Sequence, residues 1–599
     1  MNKFFTRYIP SLDWLRNYKK SDFSGDLAAG ITVAVMLIPQ GMAYAMLAGL
    51  PPIHGLYASV VPLALYALLG TSRQLAVGPV AMVSLLTATG VGALVKAGGP
   101  FQPSDFLALS VLLALIVGVM QLAMGLIRLG FLVNFLSHPV ISGFTSAAAL
   151  IIGLSQLKHL LGVEIQRSPY VHKIVIQAFS KVGSIHLITF GLGLAAIVAL
   201  MFLKKWKPSF PGALFIVVLS TLAVWLFGLN SQGVKIVTNV PAGFPTPSLP
   251  VFSWAGVKAL WPIALTISLV GFMESISVAK SFASRHRYKV DANQELIALG
   301  AANIAGAFFQ AYPVTGGFSR TAVNAQAGAK TGLSSLITAG LIAITLLFLT
   351  PLFYFLPKAV LGAIVIVAVF GLIDIKTLIH LWKVKKMDAA LLMLTFFATL
   401  SLGIEEGILL GVAASLAAFI YRTTQPHVAE LGRLPGTQNY RNYKNFPEAL
   451  RDERVAILRI DSSFYFANIP FFRDQFARLI DEREGKLQVF VIDASSINSM
   501  DSSAEEALRE IAEDLREINV QLIMAGVKGP LRRLFAKSGF HEFLGEDNFY
   551  LTVHQAVQEV CDTVTNKQDC GLLGPETEMP QGSHIQRTHP AFPEMEVQA

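Results

Sequence analysis

The sequence predicts an α-helical polytopic membrane protein, with about fourteen transmembrane segments in two inverted halves of seven, followed by a small soluble α/β domain. Three observations predict it. Of 599 residues, 53% are hydrophobic and only 14% are charged, against about 25% charged in a soluble globular chain. Apolar stretches recur at close to the roughly 20 residues that span a hydrocarbon core. After Tyr421 this character stops, and strand and helix patterns alternate.

The apolar segments fall at 26–48, 53–70, 79–95, 105–128, 136–162, 185–203, 210–228, 255–282, 292–309, 317–329, 333–355, 358–381, 387–401 and 404–423. The third segment of each half is short and begins next to glycine. Val77-Gly78-Pro79 stands at the start of one, and Gly316-Gly317 at the start of the other. Short, glycine-interrupted segments at corresponding places in two halves point to an inverted-repeat transporter and its binding site. Seven is odd, so the halves insert with opposite topology.

Residues 1–25 are basic but lack the apolar core and cleavage site of a secretory signal peptide, and are expected to be a cytoplasmic segment. The loops then test the orientation, because cytoplasmic loops collect Lys and Arg. Arg73, Arg128, Lys204, Lys205, Lys207, Arg285, Arg287, Lys289, Lys330, Lys383, Lys385, Lys386 and Arg422 fall in one set of loops. In the other set, 229–253 holds only Lys235, and 402–406 holds Glu405 and Glu406. The loop 163–184 is the exception, with Arg167, Lys173 and Lys181. The bias favours cytoplasmic termini, and a cytoplasmic (inner) membrane is the expected location. The net charge of +8 is read as this bias and not as a nucleic-acid surface.

The transmembrane part is expected over 26–423, a polar linker over 424–453, the α/β domain over 454–564 and a disordered tail over 565–599. Within the domain, RVAILRID, LQVFVIDA and VQLIMAGV read as buried strands. Helical patterns lie at about 469–484 and 502–519. Cys561 and Cys570 offer neither a disulfide framework nor metal-ligand spacing.

A charged group inside a membrane segment is costly and usually functional. Glu274, in LTISLVGFMESISVAKSFA, is the outstanding case. Out of water a carboxyl prefers its neutral form, which suits it to take up and release a proton. The alternative is a wet helix end, paired with Lys280 or Arg285. Phe318-Ser319-Arg320 begin the short segment after Gly316-Gly317. A helix start offers unpaired N–H groups and the positive end of the dipole. Ser319 adds a hydroxyl, and Arg320 adds a planar set of donors suited to oxyanions. The alternative is a capping serine and a snorkelling arginine. Gln40 and Tyr44 lie deep in an apolar helix, where such residues often join helices to one another. No nucleotide-binding loop, metal cluster or nucleophile triad appears, so no enzyme and no cofactor is expected.

PQGMAYAMLAGLPPIHGLYASVVP, followed by GTSRQLAVGPVAMVSL, resembles the signature of the SulP anion-transporter family, which includes plant sulfate transporters and prestin. GFMESISVAKSFA, TGGFSRTAVNAQAGAKTG and PLFYFLPKAVLGAIVIVAVFGLID resemble the plant sulfate transporters in particular, and the C-terminal unit resembles that family's STAS domain. The resemblance implies a core domain of segments 1–4 and 8–11, a gate domain of segments 5–7 and 12–14, an elevator-like motion and a homodimer. It implies that Gln40 and Tyr44 face the anion, with Val80 at the start of the third helix, where family members often carry an aromatic. It assigns Phe318, Ser319 and Arg320 to the anion motif and Glu274 to the eighth-helix acidic position. Sodium-coupled members have a hydroxyl residue four positions after that acid. Val278 stands there in this chain and cannot ligate a hard cation, which favours protons.

Asn498-Ser499-Met500-Asp501-Ser502-Ser503 resembles the phosphorylatable loop of anti-sigma-factor antagonists. Its other reading is a helix cap, Ser502 or Asp501 boxed with Glu505. Together these readings imply a sulfate:proton symporter in contact with lipid. A bicarbonate or dicarboxylate carrier, an anion exchanger or channel, and a membrane sensor are the alternatives.

Overall fold

The computed structural model describes residues 9–96, 102–131, 137–165, 171–206, 211–563 and 570–573. Arg167, Lys207 and, apart from residues 570–573, the tail expected from 565 onward lie outside the described residues. The chain divides into two compact units, Met1–Leu416 and Ala417–Ala599.

Each of the fourteen apolar segments carries helix. The first half holds α1 (Lys20–Ala48), α2 (Ile53–Leu69), the two-residue strand β1 (Val77–Gly78), α3 (Ala81–Lys96), α4 (Phe106–Leu126), α5 (His138–Leu160), α6 (Leu187–Trp206) and α7 (Gly212–Leu226). The second holds α8 (Trp254–Arg285), α9 (Ala292–Phe308), β2 (Thr315–Gly316), α10 (Phe318–Gln326), α11 (Leu333–Phe353), α12 (Lys358–Phe370), α13 (Lys386–Leu402) and α14 (Ile404–Thr424). Among the described residues, seven helical stretches are long and apolar enough to cross a membrane: α1, α4, α5, α8, α11, α14 and the run from α12 to Val384. The loop 163–184 is not simply irregular, because Val171–Ser180 is helical.

Close helix crossings explain two glycines of the PQGMAY and PIHGLY motifs. A Cβ on Gly55 would lie 2.0 Å from the carbonyl oxygen of Gly41, so α1 and α2 meet backbone to backbone. Without a hydrophobic drive between helices in lipid, such small-residue contacts supply the packing.

Two fully buried carboxylates tie the halves together. Asp26 of α1 accepts from the N–H groups of Lys330 (2.7 Å) and Thr331 (3.0 Å), the Thr331 hydroxyl (2.6 Å) and the Tyr18 hydroxyl (3.2 Å). Glu295 of α9 accepts from the N–H groups of Thr71 (2.7 Å) and Ser72 (3.1 Å), the Thr71 hydroxyl (2.6 Å) and the Tyr66 hydroxyl (2.6 Å). Each acid of one half thus holds the loop after a helix of the other with the same four kinds of donor. Such saturation is what makes a buried carboxylate tolerable.

The second unit is a six-stranded sheet in the order β4-β3-β5-β6-β7-β8. Its strands are β3 (Val428–Arg433), β4 (Tyr440–Asn442), β5 (Val455–Ile460), β6 (Val489–Asp493), β7 (Gln521–Ala525) and β8 (Phe549–Tyr550). β5, β6, β7 and β8 run parallel, while β3 is antiparallel to both its neighbours. Alternate residues face opposite sides. Leu458, Phe490, Ile492 and Met524 pack with Phe472 and Phe476 of α15 (Ile469–Asp481) and Leu508 and Leu515 of α16 (Ser502–Glu517). Val455, Ile457, Val491 and Ile523 pack with Val557 and Val560 of α17 (Val553–Thr563).

Three expectations need correction here. The stretch 424–453 is not only a linker, since it supplies β3 and β4 to the sheet edge. Cys561 and Cys570 form a disulfide, with Cα atoms 5.6 Å apart. Two cysteines suggest no framework from spacing alone, but the chain returns to α17, where both sulfurs are buried. Residues 570–573 are accordingly packed, with Leu572 in the core, Gly571 N–H bonded to Asp452 (2.9 Å) and Leu573 C=O bonded to Arg433.

Candidate functional site

β1 and β2 pair antiparallel, Val77 opposite Gly316 and Gly78 opposite Thr315. The Gly317 N–H extends the ladder to the Ala76 carbonyl (3.2 Å). Because α3 follows β1 and α10 follows β2, this short crossing brings two helix N-termini together from opposite directions. α10 has Gly317 at its N-cap and no side-chain cap, so its first N–H groups remain open to a ligand.

α8 is clamped onto this crossing. The Ser275 and Thr315 hydroxyls lie 2.7 Å apart, Thr315 donates to the Gly271 carbonyl (2.6 Å), and the Gly316 N–H donates to Ser275 (2.8 Å). Glu274 therefore stands one residue from the clamp. Its Oε2 is buried and has no hydrogen-bond partner, and neither Lys280 nor Arg285 pairs with it among the described residues. The wet-helix-end alternative for Glu274 thus lacks its ion pair.

Arg320 is 1% exposed. Its Nη1 donates to the Pro79 carbonyl, while Nε and Nη2 are buried without a partner. The guanidinium lies against backbone: a Cβ on Gly317 would be 2.9 Å from Nη2, and one on Gly78 would be 3.6 Å from Nη1 and from Nη2. The snorkelling alternative does not describe this side chain. Tyr44, Glu274 and Tyr312 lie within electrostatic reach of it. Gln40 donates to the Tyr44 hydroxyl (3.0 Å) and keeps an unpartnered, buried Oε1.

A cavity of about 500 Å³ opens beside this cluster. Thr32, Met36 and Gln40 of α1 and Ser319 and Val323 of α10 line one wall, and residues of α6, α7 and α12 line the other. Ser319 and Phe318 are exposed, Phe318 with its ring 6.4 Å from that of Phe282. Val80 is buried, and its carbonyl accepts from the Ser84 N–H (2.9 Å). Gln40, Tyr44, Glu274 and Arg320 are thus gathered in one place, and Gln40 and Ser319 reach the cavity.

Sequence reasoning missed Tyr312, which is 1% exposed and bonded to the Ser84 hydroxyl (3.1 Å). The available signal was local only, a tyrosine four residues before the Gly316-Gly317 break.

Ser502 lies in the second unit, exposed in the first turn of α16. Asp501 is the cap, accepting from the N–H groups of Ala504 (2.8 Å) and Phe466 (3.0 Å). The expected box with Glu505 does not form. Glu505 instead accepts from Arg509 (3.0 Å) and Ser538 (3.0 Å).

Residues 23–395 match the Sulfate permease family, and residues 446–556 match the STAS domain. The chain is 43% identical over 571 residues to sulfate transporter 4.1, chloroplastic, of Arabidopsis thaliana, covering 92% of this chain and 82% of that protein. It is 42% identical to the probable sulfate transporter 4.2 of the same plant, covering 93% and 84%. Among solved structures, the murine solute carrier 26 family member A9, an anion transporter in the inward-facing state, superposes with a TM-score of 0.86 at 27% identity, covering 94% and 95% of the two chains.

Proposed function

This chain belongs to the sulfate permease family, and from that premise we propose that it is a secondary active carrier that moves sulfate inward together with protons. The observation that carries the reading is the free edge of Arg320. Nε and Nη2 are the two parallel donors on one side of the guanidinium, and both are buried and unpartnered at the junction of two helix starts. That edge matches two oxygens of a tetrahedral oxyanion. Ser319, Gln40 and Tyr44 complete the surroundings of the anion, with Phe318 and Val80 shaping them.

Glu274 is the coupling group. A carboxyl whose Oε2 has no hydrogen-bond partner, beside an anion site, repels a dianion when ionised and not when protonated, so anion and proton enter together. Val278, one helical turn on, offers no oxygen to sodium.

The cavity between α1 and α10 on one side and α6, α7 and α12 on the other suits an elevator-like displacement of a core against a gate. The basic loops support cytoplasmic termini in an inner membrane. The carrier works as a homodimer, and a phosphate on Ser502 would sit at the positive end of α16 without disturbing the cap made by Asp501.

The test is uptake into proteoliposomes holding the full chain, with radiolabelled sulfate, bicarbonate and dicarboxylates in turn, under an imposed proton gradient. Sulfate accumulation driven by that gradient is expected. Accumulation of bicarbonate or a dicarboxylate in preference, or flux indifferent to pH, overturns the reading.

A further inference from the structure

One group of cations does not follow the charge bias of the other loops. Lys158 and His159 close α5, Glu164 lies just beyond them, Lys181 follows the helix Val171–Ser180, Lys235 lies in the extended run after α7, and Lys358 opens α12. All six line one cavity of about 480 Å³. Their positions are held by backbone. The Lys358 N–H donates to the Lys235 carbonyl (3.0 Å), Ile236 bridges Pro357, and the Lys181 ammonium donates to the Glu164 carbonyl.

The balance is four lysines to one carboxylate. Glu164 pairs with Lys235 at 3.5 Å, but both side chains are exposed, 89% and 56%, so the pair is weak and an incoming anion can compete for Lys235. Membrane insertion does not account for the cluster, because the loops 163–184 and 229–253 belong to the set that should be poor in lysine. One carboxylate offsets only part of this charge, and the excess of lysine in a partly enclosed space attracts a further anion. The N-terminus of α12, a thirteen-residue helix, opens at Lys358 and Ala359 and adds its own positive end.

We infer that this cavity is a second binding site for a tetrahedral oxyanion, either free sulfate or the phosphate of a lipid headgroup, held by Lys181, Lys235 and Lys358. It is separate from the cavity beside Arg320 and stands on lysine chemistry whether or not the carrier reading holds. Field lines from such a lysine-lined cavity raise the local concentration of anions.

The full chain in neutral detergent is methylated reductively, and the rate at each lysine is followed by mass spectrometry. Sodium sulfate is compared with sodium chloride at equal ionic strength. Vesicles of phosphatidylcholine are compared with and without phosphatidylglycerol. Sulfate is expected to slow Lys181, Lys235 and Lys358 together at one midpoint, leaving exposed Lys280 unchanged. Protection by phosphatidylglycerol vesicles alone assigns the same site to a lipid headgroup. The double change Lys181→Gln with Lys235→Gln should abolish protection of Lys358, and Lys181→Arg with Lys235→Arg should keep it. Protection by neither anion source, equal slowing by chloride, or undiminished protection in the glutamine pair overturns the inference.

Discussion

Arg320 of one half donates a hydrogen bond to the Pro79 carbonyl of the other. The cation is therefore fixed by the backbone that leads into α3, and its opposite edge is fixed with it. An arginine positioned in this way loses little freedom when an anion arrives, which favours binding.

Replacing Arg320 by Ala should weaken sulfate binding. A hydrogen bond to a charged group contributes about 1.5–3 kcal/mol, which is roughly ten- to a hundred-fold in Kd. Arg320→Lys should recover only part of this, because one ammonium keeps the charge but loses the paired donors. Equilibrium binding of radiolabelled sulfate to folded, monodisperse protein decides it. An unchanged Kd in Arg320→Ala removes Arg320 from the anion site.

Glu274→Gln mimics the protonated carboxyl. In the parent chain, uptake should rise as outside pH falls, since more carriers are protonated on that side. In the glutamine form the profile should be flat, and only exchange of anion for anion should remain. If Glu274→Gln still concentrates sulfate when only a proton gradient is imposed, another group carries the proton.

Topology is tested from the two ends of the argument. A tag after Ala599 and a cysteine introduced within 235–245 should be labelled from opposite faces of the membrane. Labelling from the same face breaks the orientation and the cytoplasmic placement of the termini.

Asp452 makes acid stability of the second unit measurable. Burial works against its charge, but the Arg454 side chain and the N–H groups of Arg454 and Gly571 more than offset this and hold its carboxyl below the usual range. In an unfolded chain the group titrates near ~3.9. Its contribution to stability is thus fully present above that value and is lost as pH falls through the lower, folded one. At neutral pH, Asp452→Asn should speed hydrogen exchange at the Gly571 amide severalfold in the full chain. Equal exchange in both proteins shows that the disulfide, the Leu572 packing and the Arg433 bond hold residues 570–573 without Asp452.

Much of this architecture is legible in sequence because its causes are local. An apolar run fills a helix, and Gly78-Pro79 and Gly316-Gly317 interrupt one. Glu274 is conspicuous because its neighbours are apolar. Distant pairings leave no such mark. Asp26 reads as an ordinary charge at a helix start, yet three of its four donors lie 304 or 305 positions away. Tyr312 sits in a connection, and only the fold brings it to Ser84 and within reach of Arg320. The Cys561–Cys570 pair needs the return of the chain, which spacing does not report. Val428–Arg433 lies in a polar, turn-rich stretch, and pairing with β5 makes it a strand.

The reciprocal grip of Asp26 and Glu295 sets an order of events during biosynthesis. Asp26 enters the nascent helix early, but Lys330 and Thr331 leave the ribosome only after some 300 further residues, about 15–60 s later at ordinary elongation rates. Thr71 and Ser72 wait similarly for Glu295. Until then Asp26 has only the Tyr18 hydroxyl of its own half, and the Thr71 and Ser72 N–H groups lack the carboxylate that the second half brings. The first seven segments can therefore complete these bonds only once the second half has joined them. A chain stopped after Leu226 keeps a buried-type acid with one of its four donors and none of the other three.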